Sequence, residues 1–175
     1  MNLKLIFNRI VFFSIGCIYF SAVHSQTQMG LDIDGEAARD QSGFTVSLSS
    51  DSSIVAIGAP LNDGNGINSG QVRVYGYISG IWTQIGSDID GEAAGDESGW
   101  AVSLSSNGST VAIGAMYNAG NGTDAGQVRV YENVSGTWTQ IGSDIDGEAA
   151  GDQSGTSVAL SSDGSMVAIG AHHND

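Results

Sequence analysis

Apolar and small polar residues alternate in short runs through most of the chain. In the middle of the chain, residues 100–105 and 110–115 show this alternation, and residues 127–131 and 138–142 repeat it. A period of two places every second side chain on the same face, as in a β-strand. The pattern therefore predicts four short strands in this stretch, and no helical period appears after the first 30 residues or so.

Turn residues separate these runs. Asn107-Gly108 lies between the first two runs, and an Asn-Gly pair is a strong signal for a tight hairpin turn in which both central residues have positive φ. Asp163-Gly164 stands at the same place later in the chain, and Asp51-Ser52 stands there earlier. Neighbouring strands are therefore expected to be antiparallel.

The alternating pattern belongs to a unit that recurs every 56 residues. Asp32-Ile-Asp-Gly-Glu-Ala-Ala returns at Asp88 and Asp144, and residues 32–86 match residues 88–142 at 38 of 55 positions. A fixed period of this order marks a solenoid, a propeller or an array. The repeats cover about residues 30–86, 87–142 and 143–175, and the third is truncated.

Four antiparallel strands per unit are the content of one β-propeller blade. The expected fold class is therefore all-β, a propeller of four-stranded blades with a 56-residue repeat, of which about 2.6 blades are present. A closed ring takes about four to eight blades. The propeller is incomplete, so we expect the chain to be a fragment and further blades of the same chain to follow.

Residues 1–25 have the features of a secretory signal peptide. Lys4 and Arg9 precede an apolar stretch over residues 10–23, which is shorter than the roughly 20 residues that span a bilayer. Cleavage before Gln26 leaves residues 26–175 as a partial propeller domain without a membrane span, and an uncleaved anchor is the alternative. We therefore expect a secreted or cell-surface protein.

The charge balance narrows the class of partner. The chain has 19 acidic residues against 5 basic ones, and Lys4 and Arg9 lie in the leader. Such an acidic surface disfavours nucleic acid and anionic membranes, and it favours solubility and divalent cations. Cys17, the only cysteine, also lies in the leader, so no disulfide is expected in the domain.

Three segments of the first unit carry a family resemblance. They are Ser42-Gly-Phe-Thr-Val-Ser-Leu, Ile54-Val-Ala-Ile-Gly-Ala-Pro and Gly70-Gln-Val-Arg-Val-Tyr. Together they resemble the FG-GAP repeat, the blade repeat of integrin α-subunit propellers and of many secreted bacterial proteins. The resemblance covers residues 30–175, although Ser-Gly replaces the leading Phe-Gly and Gly-Ala-Pro is intact only at residues 58–60. It implies a propeller of the secreted bacterial type.

The chain departs from this family at the usual calcium loop. Many FG-GAP repeats carry Asp-x-Asp-x-Asp-Gly between their first two strands. Residues 49–53, 105–109 and 161–165 stand at that place, and each segment holds one carboxylate or none. Calcium takes roughly 6–8 oxygen ligands, so the family's calcium site is not expected here.

The Asp-Ile-Asp-Gly-Glu-Ala-Ala connection is the remaining candidate for a cation site. If residues 88–90 are extended, Asp88 and Asp90 point to the same face, where two carboxylates repel unless a cation, solvent or backbone N–H groups stabilise them. One interpretation is a calcium site in each unit. The other is a solvated Asp88, a turn at Asp90-Gly91 and a cap formed by Asp96. The candidate calcium ligands are Asp32, Asp34, Asp40, Asp88, Asp90, Asp96, Asp144, Asp146 and Asp152.

Aromatic residues fall into two groups. Trp82 and Trp138 recur with the unit, which favours a role in packing. Phe44, Trp100 and Thr156 occupy one equivalent position, and their variation indicates a surface that differs between blades.

No catalytic set is evident in the sequence, and no cofactor other than calcium is indicated. The paired carboxylates recur identically in each unit, whereas a propeller enzyme gathers different residues from different blades around one channel. The sequence therefore predicts a non-enzymatic protein for cell adhesion or for binding an extracellular protein or glycan. The alternatives are part of a propeller enzyme whose catalytic residues lie beyond residue 175, and a structural spacer in a large surface protein.

The leader gives a direct prediction. When the full chain is expressed in a bacterial host, export should remove residues 1–25, because a short apolar stretch behind two positive charges is a substrate for signal peptidase. N-terminal sequencing of the exported protein should begin at Gln26. A chain that stays in the membrane with its leader attached would contradict this prediction.

Overall fold

The computed structural model describes residues 28–174, which form β-strands joined by turns. The strands are β1 (Thr45–Leu48), β2 (Ile54–Ala59), β3 (Gln71–Ile78), β4 (Ile81–Gln84), β5 (Ile89–Asp90), β6 (Ala101–Leu104), β7 (Thr110–Ala115), β8 (Gln127–Val134), β9 (Thr137–Gln140), β10 (Ile145–Asp146), β11 (Ser154–Leu160) and β12 (Val167–Ala171). Within the described part of the chain, no helix is long and apolar enough to span a membrane.

The strands form three sheets, one for each repeat. In blade 1 the order is β1-β2-β3-β4, with antiparallel pairing throughout. Blade 2 repeats the order with β6, β7, β8 and β9, and blade 3 contains β11 and β12. The predicted all-β fold with propeller-like blades of four antiparallel strands is therefore confirmed.

We call β4 and β9, the fourth strands of blades 1 and 2, the outer strands. Each outer strand is longer than the sequence predicts. Tyr75 to Ile78 of β3 pair with β4, while Gln71 and Val72 pair with the short strand β5. β4 and β5 are thus two parts of one outer strand, interrupted near Gly86, where φ is 73°. β10 has the same place in blade 2. The Asp88-Ile89-Asp90 segment therefore belongs to the blade before the connection.

The hairpins between the first two strands differ from the predicted turn in one detail. Gly108 has φ 69°, and its N–H donates to the Ser105 carbonyl at 2.9 Å, but positive φ does not extend to Asn107. Instead the Asn107 Oδ1 atom accepts the Ser109 N–H at 3.0 Å, which closes an Asx-turn. The side chain thus supplies the turn that the backbone of Asn107 was expected to supply.

Adjacent blades share one hydrophobic core. We call the face of a sheet toward the preceding repeat its leading face and the opposite face its trailing face. The trailing face of blade 1 and the leading face of blade 2 form one cluster of buried residues, which contains Ala56, Val72, Val74, Ile89, Val102, Leu104, Val111, Ile113 and Tyr131. A smaller cluster of Val55, Ile57 and Tyr75 lies on the leading face of blade 1. The larger cluster is thus shared between blades, as expected for a repeat protein.

Hydrogen bonds and a close backbone approach fix this contact. The Leu104 N–H donates to the Ser47 Oγ atom at 2.9 Å, and the Leu160 N–H donates to the Ser103 Oγ atom at 3.0 Å in the next pair of blades. A Cβ atom at Gly58 would overlap the Gly99 carbonyl oxygen, so only glycine allows the two backbones to approach this closely.

The shared core predicts which leucine or isoleucine matters for stability. Leu104 is 8% exposed at the interface of blades 1 and 2, whereas Ile81 is 63% exposed on β4. Leu104→Ala should lower the free energy of unfolding by about 2–5 kcal/mol, because it leaves a cavity in the core. The control Ile81→Ala should change it by less than about 0.5 kcal/mol. Urea denaturation checks both, and equal effects would contradict the shared core.

Candidate functional site

Negative charge is concentrated at one end of the blades. We call this the acidic end. It comprises residues 28–44 before β1, residues 60–70 and 116–126, which join β2 to β3 and β7 to β8, and residues 85–100 and 141–153, which lead from the outer strands to the next repeat. Apart from Asp51, Glu132 and Asp163, every Asp and Glu of residues 28–174 lies in these segments. The described residues thus have a strongly polarised charge distribution.

The third aspartate of each unit is a structural cap. Asp96 is 4% exposed, and its Oδ2 atom accepts the Ala93 N–H at 2.9 Å and the Asn118 Nδ2 atom at 3.0 Å. The same bonds recur in the other two units, at Asp40 with Ala37 and Asn62, and at Asp152 with Ala149 and Asn174. A buried carboxylate with such donors ties the connection between blades to the β2–β3 loop or its equivalent.

The first two aspartates of the unit are more exposed. The Oδ1 atom of Asp88 accepts a hydrogen bond from the Gln84 Nε2 atom at 2.6 Å. Asp32 and Asp144 accept the same hydrogen bond from Gln28 and Gln140. Burial raises the pKa of Asp90, and the charge of nearby Asp88 raises it further. Asp34 and Asp146 have the equivalent places in the other units.

The structure does not gather these aspartates around one point. Among residues 28–174, no three His, Cys, Asp or Glu side chains converge on a position that could hold a metal ion. The bonds of Asp96 match the cap interpretation of the sequence. Calcium binding by the nine candidate aspartates stays a prediction.

Two buried arginines were not singled out from the sequence. Arg73 and Arg129 are 8% and 7% exposed, and their Nη2 atoms donate to the carbonyl oxygens of Asp34 at 2.8 Å and of Asp90 at 2.7 Å. Their Nη1 atoms lie 3.9 Å from the Glu36 carboxylate and 3.8 Å from the Glu92 carboxylate. The sequence signal that could have identified these arginines is the exact recurrence of Gln-Val-Arg-Val-Tyr in both units. These arginines are the ion-pair partners of Glu36 and Glu92, and the other carboxylates of the acidic end form no ion pair among residues 28–174.

An aromatic cluster also lies at the acidic end. The ring centroids of Phe44 and Trp100 are 4.6 Å apart, and those of Trp100 and Tyr117 are 6.3 Å apart. Phe44 is 48% exposed. Thr156 holds the equivalent position in blade 3 and has its hydroxyl 3.0 Å from the His172 Nδ1 atom. The position that varies in the sequence therefore gives each blade a different side chain at the start of its first strand, which is β1, β6 or β11.

The recurrent tryptophans have the packing role that the sequence indicates. The Trp82 Nε1 atom donates to the Met29 carbonyl at 2.8 Å, and the Trp138 Nε1 atom donates to the Ile85 carbonyl at 2.8 Å. Trp138 also packs against the core shared by blades 1 and 2. Trp138 thus fastens the segment between β4 and β5 of blade 1, and Trp82 fastens the N-terminal segment at Met29.

Comparison with known families agrees with these features. The model of the FG-GAP repeat matches residues 31–75 and 88–131. The chain therefore belongs to the FG-GAP repeat family, as its sequence suggests. The comparison with curated proteins gave no match.

Solved structures give weaker likenesses. Hydrazine synthase of Kuenenia stuttgartiensis is 11% identical, with a TM-score of 0.48, and the match covers 82% of this chain and 32% of that one. The periplasmic gluconolactonase PpgL of Pseudomonas aeruginosa is 17% identical, with a TM-score of 0.41, and the match covers 67% of this chain and 32% of that one. The chain thus spans about a third of the length of each.

The cap role predicts that Asp96 contributes more to stability than Asp144, an exposed aspartate of the next repeat. Asp96→Ala should destabilise the fold by about 1–3 kcal/mol, because it leaves the Ala93 N–H and the buried Asn118 amide without their shared acceptor. Asp144→Ala is the matched control, because Asp144 is exposed and bonded to Gln140 at the surface. Urea denaturation at neutral pH measures both, and a control as damaging as Asp96→Ala would refute the cap role.

Proposed function

We propose that this protein is a secreted or cell-surface, non-enzymatic propeller that binds an extracellular ligand through its acidic end, in adhesion or ligand capture. Its membership of the FG-GAP repeat family supports a propeller built from repeated blades. The observation that carries the proposal is the concentration of carboxylates in the connections, with Asp51, Glu132 and Asp163 as the exceptions among residues 28–174.

The charge of this end defines the kind of ligand. Connections of successive blades present the same exposed carboxylates, among them Glu36, Glu92 and Glu148. A row of like charges raises the local concentration of cations and attracts basic surfaces. The ligand we propose is therefore a positively charged segment of an extracellular protein, or a glycan that carries amino groups.

Exposed apolar groups at the same end add contact area. Phe44 is 48% exposed and Ile67 is 74% exposed, and both lie in acidic-end segments. Aromatic faces bind Lys and Arg side chains through cation–π contacts of about 0.5–2 kcal/mol. Phe44 directly precedes β1 and Trp100 directly precedes β6, so a ligand that crosses the acidic end would contact both.

Repetition favours binding over catalysis. Asp88-Ile-Asp-Gly-Glu and its copies place the same side chains in every blade. Identical groups in a row suit a ligand that is contacted several times, because linked weak contacts add up to high avidity. Catalysis instead needs different groups with separate roles at one reacting centre.

A charge-neutralised variant tests the proposal. Asp32→Asn, Asp88→Asn and Asp144→Asn together keep side-chain size and remove charge from three successive connections, at residues whose hydrogen-bond partners are uncharged glutamines. The purified exported protein and this variant are applied to an array of basic extracellular proteins and amino-bearing polysaccharides. The unmodified protein should bind at least one of them, and the variant should bind at least about tenfold more weakly, because exposed charges dominate this contact.

The opposite end supplies the control. Asp51→Asn with Asp163→Asn removes charge from the hairpins, and Asn107 shows that asparagine forms the same turn there. This control should bind as the unmodified protein does, and binding should weaken with salt. Equal binding by the control and the triple variant, or no bound ligand at all, would refute the proposal.

A further inference from the structure

Three Asn-Gly pairs occur in the chain, at residues 65–66, 107–108 and 121–122. In such a pair the backbone nitrogen of the glycine can reach the side-chain amide carbon of the asparagine, and glycine has no Cβ atom to obstruct the approach. Attack of this nitrogen expels ammonia, and hydrolysis then leaves a carboxylate. The three pairs share this local chemistry, but their side chains have different partners in the fold.

The Asn107 side chain lies in a turn that favours this attack. Asn107 is exposed at the tip of the hairpin between β6 and β7. Its Oδ1 atom accepts hydrogen bonds from the Ser105 Oγ atom at 2.9 Å, the Ser109 N–H at 3.0 Å and the Ser109 Oγ atom at 2.8 Å. Negative charge develops on this oxygen when a nucleophile adds to the amide carbon, and donors already in place stabilise that charge. The turn therefore activates the Asn107 amide.

The same turn leaves the amide nitrogen free to depart. All hydrogen bonds of the Asn107 side chain within residues 28–174 are made by Oδ1, so none retains the Nδ2 atom. Because the side chain folds back to the Ser109 N–H as an Asx-turn, it lies alongside the Gly108 peptide group. The nucleophile, which is the Gly108 nitrogen, is thus close to the amide carbon.

The other two asparagines are held by their amide nitrogens. The Asn65 Nδ2 atom donates to the carbonyl oxygens of Gly91 at 2.9 Å and of Glu92 at 3.0 Å. Asn121 donates the equivalent pair of hydrogen bonds to the next connection, at 2.9 Å and 3.1 Å. Loss of ammonia from either side chain breaks both bonds, so these two amides are protected by the fold.

One hydrogen bond opposes the reaction at all three pairs. The glycine N–H must lose its proton before the nitrogen attacks, and the Gly108 N–H donates to the Ser105 carbonyl at 2.9 Å. The N–H groups of Gly66 and Gly122 also donate to the carbonyl three residues earlier, at 3.2 Å and 3.3 Å. Because this bond is common to the three pairs, the difference between them lies in the asparagine side chains.

The turn that the product would form already exists in the other two repeats. Asp51 and Asp163 stand at the position of Asn107, and each accepts the same three hydrogen bonds. The Ser53 N–H lowers the pKa of Asp51 most, and the Ser161 hydroxyl lowers that of Asp163 most, each to about 2. A carboxylate at position 107 would therefore be stabilised by the donors that now bind the amide.

We propose that Asn107 is a modification site, at which the folded protein deamidates in water without an enzyme. Hydroxide takes the Gly108 N–H proton, the nitrogen bonds to the Asn107 amide carbon, and the bond from that carbon to Nδ2 breaks. Ammonia leaves with a proton from water, and a cyclic imide remains. Water then opens the imide at the side-chain carbonyl to give aspartate, or at the main-chain carbonyl to give isoaspartate. The site is independent of ligand binding at the acidic end, because the hairpins lie at the opposite end.

Peptide mass spectrometry on the exported full chain tests the proposal. The folded protein is kept in mildly alkaline buffer, and the acid formed at the three asparagines is followed in one sample. Position 107 should convert at least about tenfold faster than positions 65 and 121, because only its amide oxygen is surrounded by donors. In urea that unfolds the chain, the three positions should convert at similar rates, because the Asn-Gly sequence is common to them.

Two variants separate the effect of the turn from that of the sequence. Ser109→Ala removes one donor to the Asn107 Oδ1 atom and should slow conversion at position 107 by about threefold or more. Ser53→Ala removes the equivalent donor in blade 1 and should leave that rate unchanged. Circular dichroism confirms that both variants are folded. No conversion at position 107, equal rates at the three positions in the folded protein, or undiminished conversion in Ser109→Ala would overturn the proposal.

Discussion

The close approach of neighbouring blades is the constraint on which this structure depends. Gly58 lies against Gly99, and Gly114 lies against Gly155, at contacts that leave no room for a side chain. Beside them, the serines at positions 47 and 103 bind backbone N–H groups of the following blade. A four-stranded sheet cannot stand alone in water with both faces apolar, so each blade is stable only against another. The recurring glycines and serines are therefore as necessary for the stacking of blades as the recurring apolar residues.

The same constraint explains where the charge lies. Blade 2 has blades on both sides, and the side chains of β7 are all buried. Most charged groups then lie in the connections and hairpins; Arg73 and Arg129 are buried with partners, and Glu132 is exposed near the end of β8. The hairpins opposite the acidic end are short and use Ser, Asn and Asp to make turns. The carboxylates therefore lie mainly in the longer connections. Because these connections are at one end of the blades, the stacking of blades leads to a one-sided charge distribution.

The sequence predicted the parts of this fold that depend on local pattern. Strand alternation in β6 and β7, the Asn107-Gly108 turn and the 56-residue period each follow from neighbouring residues and from repetition. The continuation of the outer strand into β5 was missed, because two residues carry too little pattern to show a strand. The partners of Asp96 and Arg129 were also missed. Asn118 and the carbonyl of Asp90 lie 22 and 39 residues away from them, and only the packed blades bring them together.

Amide hydrogen exchange at three leucines tests the stacking of blades most directly. Leu48, Leu104 and Leu160 occupy the same position in the three repeats, but only Leu104 and Leu160 have a preceding blade whose serine accepts their N–H. The account predicts slow exchange at Leu104 and Leu160 and fast exchange at Leu48, under conditions in which the protein is folded. Equal exchange rates at the three leucines would contradict it.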